Sequence, residues 1–271
     1  MNFICFNGRF LSSAEAVFTS QNRSFKWGDG FFETMKVFEG KILMEAFHFD
    51  RLFLTLQLLQ MDAGDFLQQT SLTENILALC KKNNYTSLAK IRLAVYRNEE
   101  NKAEYIIEAW PLSVEVMKWN EEGLKIDIYP YARKTIDAFA NLKTANFLPY
   151  VMAAKFAKEK KLDDALVLNA ANNICDSSKA NIFLIKGDEI YTPALHQGCI
   201  NGVMRRFLLQ RLKESGQHIH QEEITENDLL HADEVFLTNA IQGIRWVQFF
   251  KQKQYTHTKT FSIYQQFIST I

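Results

Sequence analysis

Lys143 stands apart from the other lysines of the chain. It lies in residues 138–148 (AFANLKTANFL), among small and apolar neighbours, whereas Lys158, Lys160 and Lys161 crowd a charged run. A lysine stripped of water gives up its proton more readily, and the free amine is a nucleophile. A structural or snorkelling lysine shares that composition, so the neighbourhood alone leaves both roles open. A second feature is residues 197–205 (QGCINGVMR), where Asn201-Gly202 precedes a predicted helix. Free N–H groups at a helix start suit a phosphate, although an ordinary Asn cap with a Gly entry has the same look. Arg51 falls in the first turn of its predicted helix, where the dipole disfavours a cation. An anionic partner would rationalise it, as would plain exposure.

Other patterns carry less. Gly28-Asp29-Gly30 before FFET is neither GxGxxG nor a Walker loop, and it suggests a tight turn into a strand. His218 and His220 share a strand face without a third ligand nearby. Cys5, Cys80, Cys175 and Cys199 form no CxxC pair, so neither a metal site nor a disulfide framework is expected. No GxSxG is present, which removes support for a serine hydrolase elbow.

These residues must be positioned by mixed elements. Asn7-Gly8 and Glu39-Gly40 signal hairpin turns, the second joining residues 31–38 (FFETMKVF) to KILMEAF. Residues 48–61 read as a helix with Phe49, Leu52, Leu56 and Leu59 on one face. Ser71-x-x-Glu74 suggests a capping box before ILALC, with Lys81 and Lys82 in the last turn. Residues 89–96 and 104–109 look like paired strands. Residues 124–129, 165–168, 181–185, 234–237 and 244–250 are further strands, and 149–161 and 202–215 are helices. No strict βαβ rhythm appears, so the expected class is α/β with α+β-like halves. The expected domains are residues 1–112 and 124–271, with 113–123 as the linker inside the Pro- and Gly-bounded stretch 111–123 (PLSVEVMKWNEEG).

The chain has 271 residues, with 31 Lys+Arg against 31 Asp+Glu and a formal charge of zero. That balance argues against a nucleic-acid binder or a polybasic membrane sensor. Apolar residues make up 47%, with 22 Phe, which suggests a Phe-rich core. No signal-like or membrane-spanning run is evident, and the scattered cysteines suit a reducing compartment, so a soluble cytoplasmic protein is expected.

Taken in order, FNGRF, RSFKWGDGFFET, HFDRL, LKTANFL, DSSKANIFLI, TPALHQGCINGVMRR and DEVFLTNAIQGIRWV resemble the fold-type IV, pyridoxal 5'-phosphate (PLP)-dependent enzymes. That group holds branched-chain aminotransferases, D-amino-acid aminotransferases and aminodeoxychorismate lyases. The resemblance covers nearly the whole chain and implies a two-domain, D-amino-acid aminotransferase-like fold with PLP between the domains, in a homodimer. It implies that Lys143 joins the cofactor and then shuttles protons. It implies that Arg51, Gly202 and the amides of Val203 and Met204 hold the phosphate, with Asn239 and Ala240 at a further phosphate contact. Asp176 falls where the family has a Glu against the pyridine nitrogen. Asp keeps the charge but is one methylene shorter, so the backbone must come closer or a water must bridge.

Trp27 and Arg97 are the candidate substrate contacts, Arg97 lying near the family's RG motif with Asn98 in place of Gly. Arg92 and Arg245 are alternatives for holding a carboxylate. Asn146, three residues after the lysine, resembles the lyases and D-amino-acid aminotransferases, whereas branched-chain enzymes more often show KxGGNY. NAIQGIRWV resembles the lyase pattern NxLxGxxPV, with Trp246 where Pro is usual. The leading expectation is a 4-amino-4-deoxychorismate lyase on the route to folate. The alternatives are an aminotransferase for D- or branched-chain amino acids and a PLP-binding homologue without catalysis.

Overall fold

The computed structural model describes residues 2–64 and 67–269. The chain divides into two compact units, Met1–Val116 with Leu142–Asn146, and Met117–Asn141 with Phe147–Ile271.

The first unit contains β1 (Phe3–Phe6), β2 (Arg9–Ser12), α1 (Arg23–Trp27), β3 (Gly30–Phe38), β4 (Lys41–Ile42), α2 (Glu45–Leu58), α3 (Gln69–Lys82), β5 (Leu88–Arg97) and β6 (Ala103–Pro111). Its six strands form an antiparallel sheet in the order β2-β1-β6-β5-β3-β4. The turn residues Asn7 (φ 46°) and Gly8 (φ 81°) are both left-handed, as are Glu39 (φ 46°) and Gly40 (φ 75°). Tight hairpins need that backbone to match the strand twist, so both expected turns form where Gly supplies it. The core packs Met35, Ile91, Leu93 and Ile107 of the sheet against Phe49, Leu52 and Leu56 of α2 and Leu72, Ile76 and Leu79 of α3.

Two helix starts differ from the sequence reading. α2 begins at Glu45, after a left-handed Met44 (φ 54°). KILMEAF therefore turns helical after only two strand residues, with Glu45 in the first turn, where the dipole favours an acid. Arg51 consequently lies in the second turn, and no dipole penalty marks it. α3 begins at Gln69, so Ser71 is already inside the helix and forms no capping box. Lys81 and Lys82 do occupy the last turn.

The second unit contains β7 (Leu124–Lys134), α4 (Leu148–Glu159), β8 (Asp164–Asn169), β9 (Ile174–Ser177), β10 (Asn181–Lys186), β11 (Glu189–Pro193), α5 (Val203–Glu214), β12 (Ile219–Glu222), α6 (Glu226–His231), β13 (Glu234–Asn239), β14 (Gly243–Phe250), β15 (Lys253–Gln254) and α7 (Thr258–Phe267). Its sheet runs β12-β11-β10-β13-β14-β7-β8-β9, with β15 on β14. Parallel pairs (β7 with β8 and β14, β11 with β12) mix with antiparallel ones. Strand β8 is buried on both faces. Leu166 and Leu168 join one apolar cluster with Ile182 and Val247, while Ala165 and Val167 join another with Ala153 of α4. A sheet covered on both sides explains a continuous apolar run rather than alternation.

The segment from Met117 to Gly123 packs onto this unit. The Trp246 indole N–H donates to the Asn120 carbonyl at 2.6 Å, and the Trp119 ring lies 5.1 Å from those of Phe261 and Tyr264. The short segment carrying Lys143 instead pairs with the first unit, not with the C-terminal part that the sequence reading gave it to. The Phe32 N–H donates to the Lys143 carbonyl at 3.0 Å and the Ala145 N–H to the Gly30 carbonyl at 2.8 Å. Strand β7 runs past its expected end at Tyr129 to Lys134, with a register shift against β8 between Ile128 and Arg133. No described helix is long and apolar enough to cross a membrane.

Candidate active site

In the first unit, pairing with the start of β3 sets Lys143 beside an aromatic ring. Its Nζ lies 4.5 Å from the centre of the Phe32 ring. The segment is also held from the other side. Gly28, left-handed at φ 67° after α1, has no room for a Cβ, which would meet the Asn146 side-chain oxygen at 2.3 Å. Asn146, singled out in the sequence for its spacing from Lys143, is thus wedged against the Gly28 backbone.

Arg51 is buried and gripped. Its Nε and Nη2 donate to the two carboxylate oxygens of Glu33, each at 2.7 Å, and His48 Nδ1 lies 2.7 Å from Glu33 Oε2. Burial pushes the Glu33 carboxyl up, but the charge of Arg51 and the hydrogen bonds from His48 and Arg51 outweigh it and hold it at about 2. An ionised carboxylate only accepts, so His48 Nδ1 carries the hydrogen and Nε2 is the bare acceptor. That Nε2 is buried without a hydrogen-bond partner among the described residues. Burial lowers the His48 pKa against the pull of Glu33, with Arg51 and Lys143 adding to the drop, so the ring is neutral. The planar fork fixes the direction of Arg51 more firmly than a single hydrogen bond would.

The remaining arginines separate by what they touch. Arg97 donates to both carboxylate oxygens of Asp29 and to the carbonyls of Leu59 and Gln60, and bonds Asn101. All its nitrogens are engaged in tying loops together, so the structure does not present it as a substrate contact. Arg245 bonds the Lys118 carbonyl. Arg92 pairs with Glu108 at 3.2 Å, and its guanidinium lies 5.0 Å from the centre of the same Phe32 ring that Lys143 approaches. Trp27 is 60% exposed, with Arg23 and Lys26 at 5.0 and 5.4 Å from its ring.

In the second unit, Asp176 on β9 is 2% exposed. Its Oδ2 accepts from the Tyr150 hydroxyl at 2.7 Å and the Ile200 N–H at 2.9 Å, and Lys134 Nζ lies 3.5 Å away. Its Oδ1 accepts from Asn181 Nδ2 at 2.7 Å. Burial raises the Asp176 pKa, and Lys134 with these hydrogen bonds opposes the rise. The same Asn181 amide also donates to the Ile200 carbonyl at 2.8 Å, just before the entry to α5. At that entry Gly202 admits no side chain, since a Cβ would fall 1.9 Å from Asn181 Oδ1. The first turn of α5, Val203 and Met204 included, holds no acidic residue, and helix geometry leaves its amides without intrahelical acceptors. Asn239 Oδ1 accepts from the Ile241 and Gln242 N–H groups at 3.0 and 2.8 Å, shaping the turn that carries Ala240.

These residues fit the cofactor that the resemblance implies. In the second unit the α5 start, barred to any side chain at Gly202, suits a phosphate, and in the first unit the directed Arg51 guanidinium suits an anion. Among the described residues Asp176 Oδ1 has one donor, Asn181 Nδ2, so it retains acceptor capacity. The sequence reading missed Glu33, His48, Tyr150, Asn181 and Lys134. The motifs FFET and HFDRL held the first two, but nothing local tells that a Glu and an Arg 18 residues apart form one fork. Among the described residues no cluster of His, Cys, Asp and Glu is arranged to hold a metal.

A family model described as amino-transferase class IV matches residues 30–248. The chain is 27% identical over 232 residues to an aminodeoxychorismate lyase of Vibrio harveyi, covering 82% of this chain and 83% of that one. It is 26% identical over 251 residues to a putative branched-chain-amino-acid aminotransferase of Methanocaldococcus jannaschii, covering 89% and 85%. Its fold matches that of the branched-chain aminotransferase of Thermoproteus uzoniensis solved with norvaline, at a TM-score of 0.87 and 20% identity over 98% and 93% of the two chains. Motif order, fold and a match across most of the sequence agree, and the chain belongs to the class IV aminotransferase family of fold-type IV, PLP-dependent enzymes.

Proposed function

We propose that the chain is a 4-amino-4-deoxychorismate lyase that releases 4-aminobenzoate and pyruvate on the route to folate. The observation that carries this reading is residues 239–247 (NAIQGIRWV), which resemble the lyase pattern, with Asn146 after Lys143 setting the chain apart from the branched-chain pattern. The similarity to the Vibrio harveyi lyase supports it.

Bound PLP supplies an electron-withdrawing ring that stabilises negative charge at the carbon beside the substrate amine. The protein's residues do the rest. On the family resemblance, Arg51, aimed by Glu33, would bind the phosphate, as would the amides of Val203 and Met204. Asn239 shapes the turn that offers Ala240 as a further contact. Asp176 holds a proton at the ring nitrogen. Lys143 would hold the cofactor and, as a free amine, would take the proton from substrate C4. It then returns a proton to the departing enolpyruvyl group, which leaves as pyruvate while the ring becomes aromatic. The Phe32 ring flanks the Lys143 amine. Arg92, over the same ring, is the guanidinium placed to hold a substrate carboxylate, and Trp27 offers an exposed ring.

The likeness to the Methanocaldococcus jannaschii protein supports a second reading, an aminotransferase for branched-chain or D-amino acids. There Lys143 moves a proton from substrate Cα to the C4′ position of the cofactor. The working form under either reading is a cytoplasmic homodimer, a proposal resting on the family resemblance.

The deciding experiment adds aminodeoxychorismate, then D- and L-amino acids, to the PLP-loaded protein and follows the visible spectrum and the products. The lyase reading expects 4-aminobenzoate and pyruvate, with no amino acid converting the cofactor to its pyridoxamine form. Conversion by an amino acid without 4-aminobenzoate selects the aminotransferase. A Lys143→Ala variant that still bound PLP covalently and turned over would sink both.

A further inference from the structure

Lys134, the last residue of β7, is 9% exposed. The register shift between β7 and β8 pairs it with Asn169 and leaves it inside the sheet layer. Its ammonium has three donors and makes no hydrogen bond among the described residues. It lies 3.5 Å from Asp176 Oδ2 and 5.4 Å from the centre of the Tyr150 ring. A buried ammonium without hydrogen bonds is tolerated only beside an opposite charge.

The other groups that act on Asp176 do not supply that charge balance as directly. Tyr150 of α4 donates its hydroxyl, and burial together with Asp176 keeps that hydroxyl protonated. The thiols of Cys175 and Cys199 are neutral, since burial pushes Cys199 up to about 12 and Cys175 higher. Arg205 of α5 acts on Asp176 through its charge but turns its Nη2 to the Pro193 carbonyl and Gln221, each at 2.9 Å. Lys134 is therefore the cation in contact with the carboxylate. It shares Oδ2 with Tyr150 and the Ile200 amide, so the remaining acceptor position is on Oδ1.

We propose that Lys134 is the standing counter-ion of Asp176, a positioning residue that shares the carboxylate with the cofactor's ring nitrogen and so loosens that nitrogen's hold on its proton. This rests on the reading of Asp176 as the partner of the PLP ring. A carboxylate already facing one cation attracts a second proton-bearing nitrogen less strongly. The buried site carries this effect because water screens it little. Lys134 thereby tunes how far the ring acts as an electron sink, without touching substrate.

The test loads wild type, Lys134→Met, Lys134→Arg and Asp176→Asn with PLP labelled with 15N in the ring, and records the nitrogen chemical shift against pH. In Lys134→Met the resonance moves toward the protonated position, and its titration midpoint rises by about one pH unit or more. Lys134→Arg, which keeps the charge, stays near wild type. Lys134→Met indistinguishable from wild type, while Asp176→Asn shifts the resonance, overturns the proposal and leaves the role of Asp176 intact. Asp176→Asn without effect overturns that role, and the proposal falls with it.

Thermal midpoints of the cofactor-free protein give an independent check. Lys134→Met lowers the midpoint in the wild-type background, and lowers it less in an Asp176→Asn background, where the partner charge is gone. Additive losses overturn the ion pair. Should Lys134→Met alone fail to fold, recovery in the double variant supports the pair and continued failure overturns it.

Discussion

Two buried carboxylates, one in each unit, are handled in opposite ways. Glu33 is 1% exposed and Asp176 is 2% exposed, so both meet the same desolvation. Glu33 faces a guanidinium that donates twice at 2.7 Å, and its pKa falls to about 2. Asp176 faces an ammonium at 3.5 Å that makes no hydrogen bond among the described residues, and its pKa rises. The lesson is that burial does not set the sign of the shift. A charge-assisted fork overcomes desolvation, whereas a looser ion pair with neutral donors only opposes it. The two outcomes suit the two roles. Glu33 is a fixed anion that aims Arg51, and Asp176 is a carboxylate held by three neutral donors and one ammonium.

The harshest way to break the comparison is Glu33→Ala. It leaves the buried Arg51 guanidinium without its fork, and removing one partner of such a pair costs roughly 3–5 kcal/mol. Chemical denaturation of the cofactor-free protein reads this loss. A cost below about 1 kcal/mol would show that water or another group already satisfies Arg51. On the other side, Asp176→Asn keeps the shape and removes the charge. Turnover is expected to fall by roughly 10²–10³, the usual loss on deleting one electrostatic contact at a reacting centre. Undiminished turnover would refute its role at the ring nitrogen.

Acid titration of stability sharpens the contrast in sign. The Glu33 pKa drops from 4.5 to about 2 on folding, so its stabilisation of about 3 kcal/mol is full above pH 4.5 and is lost as the pH falls toward 2. The Asp176 pKa rises on folding from 3.8, so this group costs stability above its folded pKa and returns it as acid protonates the buried carboxyl. Glu33→Gln therefore flattens the acid limb of a stability–pH curve, and Asp176→Asn steepens it. Parallel curves for the two variants would contradict the opposite shifts. The smallest effect belongs to Tyr150→Phe, which removes one hydroxyl donor from Asp176 Oδ2. A hydrogen bond to a charged group is worth about 1.5–3 kcal/mol, and the lower end is expected because the Ile200 amide and Lys134 remain on that oxygen.

Much of the local structure was legible in the sequence. The hairpins at Asn7-Gly8 and Glu39-Gly40 follow from residues that tolerate left-handed backbone. Helix α5 begins and ends within a residue of its expected limits because Gly202 and Ser215 flank a clear apolar stripe. The start of α2 was hidden because KILMEAF has no cap residue, and its entry is a left-handed Met44. Helix α1 was missed because it is five residues long and buries none of them. Strand β7 was cut short at Pro130, where the register shift lets the strand continue.

The sequence by itself determined the family and marked out the candidate lysine, the glycine at the α5 entry and the carboxylate on β9, because each sits in a local pattern. Only the tertiary structure decided which charges meet. Glu33 with Arg51, Lys134 with Asp176, and Arg97 with Asp29 are separated by 18, 42 and 68 residues. Such pairs leave no periodic trace in the chain, since the distance between them is set by sheet register and packing. Desolvation, which raises one carboxyl and fails to raise the other, exists only once those partners are buried together.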